Sequence, residues 1–142
     1  MIELEENTMY GKWSQWKSMM DLPQKMYMEN LTGSWDEGLE ITLKSSDDNR
    51  GIKLVFGAAS IISYQSTDEG KRLKTIYFLE RTYGKDFYTK WTLFEVQDSA
   101  LIKWVQEESC EGDDLQAKQF TLLTSDEFID IISYDDPEIQ LL

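Results

Sequence analysis

Histidine is absent from the 142 residues. With it go the commonest general base, the commonest metal ligand and every Ser-His or Cys-His nucleophile pair. A single cysteine, Cys110, allows neither an internal disulfide nor a thiolate zinc site, and suits a reducing compartment. Its acidic neighbours Glu107, Glu108 and Glu111 suppress thiol nucleophilicity, and Ser99 and Ser109 have no base to activate them. Basic residues are scarce, 14 against 27 acidic, for a formal net charge of −13. That balance argues against nucleic acid as a direct ligand, because phosphate binding needs Lys and Arg in excess. No GxGxxG or GK[ST] cradle occurs, and the small basic cluster Lys71, Arg72 and Lys74 reads as a solvated face. No apolar run approaches the ~20 residues of a membrane span. The start, MIELEENTMY, places Glu3, Glu5 and Glu6 where a signal peptide would be positive. The expectation is a cytoplasmic protein with no membrane partner, in which the Asn30-Leu31-Thr32 acceptor pattern is chance. There are two prolines, no proline-rich linker, no internal repeat and no low-complexity stretch.

What is present can build a core. Apolar residues make up 41% and aromatics 13%, and the length suits one domain spanning 1–142. Leu39, Ile41 and Leu43 alternate with polar residues, residues 45–51 are dense in turn formers, and residues 52–56 alternate again. Two strands joined as a hairpin follow from this pattern. Further strands are expected at 60–65, 91–96, 120–124 and 128–134, and Pro137 should separate an edge strand at 139–141. Residues 66–70 read as a loop. Residues 73–83 carry two signals: Thr75-Ile76-Tyr77-Phe78 favours a strand, while Ile76, Leu79 and Tyr83 have helical spacing. The expectation is a strand turning into a short helical segment near Leu79. Ser99 is a natural N-cap, and Leu101, Trp104, Val105 and Glu108 mark one helix face, with Trp104 in the core. The sum is a β-rich α+β domain: an antiparallel sheet, as sandwich or half-barrel, with one or two packed helices. Residues 1–35 hold all six methionines with Trp13, Trp16 and Trp35. This segment either packs on the sheet, with Trp13, Trp16 and Met20 on a helix face, or offers an adaptable contact surface.

Charge is distributed unevenly. Residues 1–94 carry 14 acidic and 12 basic residues, net −2, whereas 95–142 carry 13 acidic residues against Lys103 and Lys118, net −11. The adjacent pairs Glu107-Glu108, Asp113-Asp114, Asp126-Glu127 and Asp135-Asp136 do not make a glycosidase dyad, because sequence neighbours diverge on helix and strand alike. Neither 45–51 nor 112–114 matches a calcium loop. No catalytic residue, metal site or cofactor is therefore expected. The candidate partner-binding set is Glu107, Glu108, Glu111, Asp113, Asp114, Asp126, Glu127, Asp130, Asp135 and Asp136, a surface able to attract and dock a basic protein. The alternatives are a small carboxylate-based enzyme, a ligand-binding module using Trp13, Trp16 and Trp91, and a nucleic-acid mimic that inhibits some other basic protein.

Three stretches, YQSTDEGKRLKT (64–75), FYTKWTLFEVQDSALIKWVQEES (87–109) and FIDIISYDDPEI (128–139), resemble those of small proteins encoded beside bacterial polymorphic toxins. These are the immunity proteins of contact-dependent growth inhibition, and the resemblance is to the partner of the wall-associated-protein toxin of Bacillus-type bacteria. It covers about residues 35–142 and brings no catalytic residues. It implies neutralisation of a tRNA-cleaving nuclease domain by an acidic protein that covers the toxin's nucleic-acid cleft.

Overall fold

The computed structural model describes residues 9–18 and 20–142. Met1, Met19 and the acidic start with Glu3, Glu5 and Glu6 lie outside the described residues. Among the described residues, nine strands form two antiparallel sheets. Sheet A has the order β1-β6-β7-β8-β5, with β1 Lys12–Gln15, β5 Ile61–Asp68, β6 Leu93–Gln97, β7 Lys118–Leu123 and β8 Glu127–Ser133. Sheet B has the order β2-β3-β4-β9, with β2 Met26–Ser34, β3 Gly38–Ser45, β4 Gly51–Phe56 and β9 Glu138–Leu141. The helices are α1 Leu73–Tyr83, α2 Lys85–Thr89 and α3 Ala100–Glu108. The β-rich α+β class holds: two antiparallel sheets packed as a sandwich, with the helices α1, α2 and α3 among the described residues.

Two cores make three layers. Leu39, Ile41 and Leu43 of β3 with Ile52, Leu54 and Phe56 of β4 pack against Leu93, Phe120, Leu122, Ile129 and Ile131 of sheet A. The wet face of β3–β4 is the one that the alternation left polar, with Glu40 and Lys53 paired at 3.5 Å. On its other face sheet A holds Trp13, Phe94, Val96, Leu123 and Phe128 against Phe78 and Leu79 of α1. Sheet A is thus a middle layer, which is why β7 from Gln119 and β8 from Phe128 are buried at every position to their ends.

Residues 73–83 are helical throughout, which corrects the strand expected before Leu79. Thr75, Phe78 and Leu79 form its buried face, so packing onto sheet A overrides the strand propensity of Thr75 to Phe78. Trp13 and Trp16 share no helix: Trp13 is buried in β1, and Trp16 follows the strand and stacks edge-on against Phe120 at 5.5 Å. The third strand extends to Asp68, taking in part of the expected loop.

Lys25 fastens the layers at one end. Its Nζ donates to the carbonyls of Leu123 at 2.7 Å, Tyr88 at 3.1 Å and Trp91 at 3.3 Å. Burial pushes its pKa down to about 8, opposed by nearby Glu69. The folded chain therefore sheds this proton near pH 8, while the unfolded chain keeps it to the ordinary lysine value. Between those pH values the unfolded state binds more protons, so this group makes stability rise with pH. Tyr88 and Lys118, whose pKa values are raised, act at higher pH. Urea midpoints of wild type should gain on those of Lys25→Met as pH rises from about 8 towards 9.5, and parallel curves would place the titration elsewhere.

Candidate partner-binding surface

Strand registers assign each loop to one of two ends of the sandwich. Leu39 pairs with Phe56, Val55 with Glu138, and Ser133 with both Ile61 and Lys118. The β2–β3 turn (35–37), the β4–β5 turn (57–60), the approach to β7 (109–117) and the β8–β9 link (134–137) therefore share one end. The β3–β4 turn and the β7–β8 turn share the other, roughly 20 Å away along β8. The excursion through α3 leaves β6 at the first end and returns there.

The predicted acidic set divides between these ends and the interior. Glu107, Glu108, Glu111, Asp113 and Asp114 lie on the α3 excursion, all exposed, and none has an ion-pair partner among the described residues. Asp135 and Asp136 sit on the β8–β9 link of the same end. Lys118, which opens β7 beside them, donates to Asp136 Oδ1 at 2.7 Å. That hydrogen bond raises the Lys118 pKa against the desolvation that lowers it, with the charges of Asp136, Glu95 and Asp135 assisting. The lysine stays charged and paired in place, and Lys12 faces Asp98 at 3.7 Å. Asp126 and Glu127 belong to the opposite end, where the Asp126 carbonyl accepts the Glu69 amide at 3.0 Å. They stand apart from Asp113 and Asp135, at the far end of β8.

Asp130 is no surface residue. Its side chain is 1% exposed, on the helix-covered face of β8, and pairs with Arg72 Nη1 at 2.7 Å. Thr121 Oγ1 donates to it at 2.9 Å and Gln65 Nε2 at 3.1 Å. Arg72 accordingly leaves the expected solvated basic face and lies over the Phe128 ring at 4.6 Å. A cavity of about 270 Å³ opens beside this pair, walled by Tyr10, Trp13, Thr75 and Leu101. Asp130 is its single carboxylate among the described residues, so no catalytic dyad assembles there. Among the described residues, no group of three Asp, Glu or Cys side chains converges as a metal site would need.

Two exposed tryptophans stand at or near the acidic end. The half-buried face of α3 is Leu101, Ile102, Val105 and Gln106, and no α3 residue is fully buried. Trp104 falls on the outer face beside Glu107 and Glu108, 58% exposed, which corrects its expected place in the core. Ser99 caps this helix as expected, its Oγ accepting the Ile102 amide at 3.0 Å. Trp35, in the β2–β3 turn, is 95% exposed. Trp13 is buried and Trp16 and Trp91 are half-buried, so the three form no open stacking platform.

No protein-family model, curated protein or solved structure matches this chain.

Proposed function

We propose that this protein neutralises a basic nuclease domain by docking its acidic end onto the nuclease's nucleic-acid cleft, in the manner of an immunity protein. The observation that carries the reading is the set Glu107, Glu108, Glu111, Asp113 and Asp114, exposed and without ion pairs among the described residues. At the same end Asp136 occupies Lys118. Lys103 of α3 is outnumbered there, and a strong excess of one sign raises encounter rates with an oppositely charged surface by ~10–1000-fold. Phosphate-binding clefts are the common source of such positive surfaces. Cleavage of tRNA as the blocked reaction follows from the resemblance to immunity proteins. The test adds purified protein to the nuclease domain encoded by a neighbouring gene, with tRNA as substrate. Cleavage should stop at one equivalent, whereas undiminished cleavage at large excess would end the proposal.

A further inference from the structure

Trp35 is the most exposed of the large hydrophobic side chains in the described chain. Its turn needs no indole: the Ser34 hydroxyl accepts the Glu37 amide at 2.9 Å, and Gly38 at φ +81 completes the reversal. A small polar residue at 35 would close the hairpin as well. In water the ring forgoes the burial free energy that any apolar pocket would give it.

The backbone beneath Trp35 is held on both strands. Gly33 leaves room for the Tyr64 hydroxyl, and a Cβ at Gly38 would collide with the Phe56 carbonyl. A ring carried on a fixed turn loses little freedom on docking.

The same end repeats the arrangement. Trp35 is followed by exposed Asp36 and Glu37, and Tyr134, 45% exposed, by exposed Asp135 and Asp136. The β4–β5 turn joins the two units. A Cβ at Gly38 would lie 2.7 Å from the Ala58 amide nitrogen, while Ser60 accepts the amides of Tyr134 at 2.8 Å and Asp135 at 3.0 Å. Two exposed rings, each trailed by two carboxylates, thus flank one short turn.

We propose that Trp35 is a stacking anchor that enters a base-binding pocket of a protein that binds single-stranded nucleic acid, with Asp36 and Glu37 meeting the cations that hold phosphates. This rests on the proposed function and names the contact chemistry at that end. Grooves for single strands combine a positive track with aromatic platforms on which bases stack. An indole beside carboxylates offers the same alternation of flat ring and negative charge. An anionic lipid surface would repel Asp36, Glu37 and Asp135, and a second copy would bring the same charge to the contact.

The test titrates the full chain into the neighbouring-gene nuclease domain, with a short 2′-O-methylated single-stranded RNA as competitor. Trp35→Ala should weaken binding roughly 30-fold or more, with thermal unfolding and the salt dependence of binding unchanged. Trp35→Tyr, which keeps a stacking ring, should stay within roughly fivefold of wild type. RNA and protein should exclude one another. Wild-type affinity in Trp35→Ala, beside weakened binding by Asp113→Lys/Asp114→Lys, would overturn the anchor and leave the acidic end standing. RNA and protein bound together would also overturn it. Absence of wild-type binding would overturn both readings.

Discussion

Replacing Arg72 with methionine should cost about 3 kcal/mol of stability, although the residue lies at the start of α1 and is partly exposed. The cost arises on the other side of the pair. Asp130 is buried beneath α1, and without the guanidinium it is a carboxylate held only by neutral donors. Breaking a buried ion pair from one side typically costs ~3–5 kcal/mol. The lower figure applies because Thr121 and Gln65 continue to donate to Asp130. Replacing both partners, Arg72→Met with Asp130→Leu, should recover much of the loss, since the expense lies in the unpaired charge. Urea unfolding at neutral pH measures this, provided the slope is unchanged. A loss below about 1 kcal/mol for Arg72→Met would mean that the neutral donors alone suffice for the carboxylate.

The second large effect concerns binding. Asp113→Lys with Asp114→Lys should slow association with the nuclease domain by roughly 10- to 100-fold at low ionic strength. Both residues are exposed and, among the described residues, free of ion pairs, so stability should move by no more than about 0.5 kcal/mol. The control is Asp47→Lys with Asp126→Lys, which makes the same change in net charge at the opposite end. That variant should stay within roughly threefold of wild type, because exposed charges beyond a Debye length are largely screened. Equal losses in the two variants would show that total charge, rather than its placement, governs the encounter.

Much of sheet B was legible because one of its faces meets water. Leu39, Ile41 and Leu43 alternate cleanly, and Pro137 correctly set off β9, which pairs with β4 at the sheet edge. The same rule failed in sheet A, whose central strands are covered on both faces. Asp130 stands between Ile129 and Ile131, where alternation would put it in water, and α1 covers it instead. The uninterrupted burial of β8 is matched in the sequence by the apolar run around Asp130, a signal that a charge within it needs a partner. In α3 the Ser99 cap was right but the face was out of phase, so Trp104 went to the wrong side. The division of the acidic set had a sequence correlate. Asp126-Glu127 and Asp135-Asp136 bracket a single strand, which sets the two pairs roughly 20 Å apart. What sequence could not convey is that the β2–β3 turn joins the second pair, because that depends on how sheets A and B stack.

Calorimetric titration of wild-type protein into the neighbouring-gene nuclease domain, at low and at physiological ionic strength, tests the acidic-end mechanism most directly. Tight one-to-one binding that weakens steeply with salt is the result expected for docking through Glu107, Glu108, Glu111, Asp113 and Asp114. Binding of equal strength at both ionic strengths, or no binding at all, would contradict it.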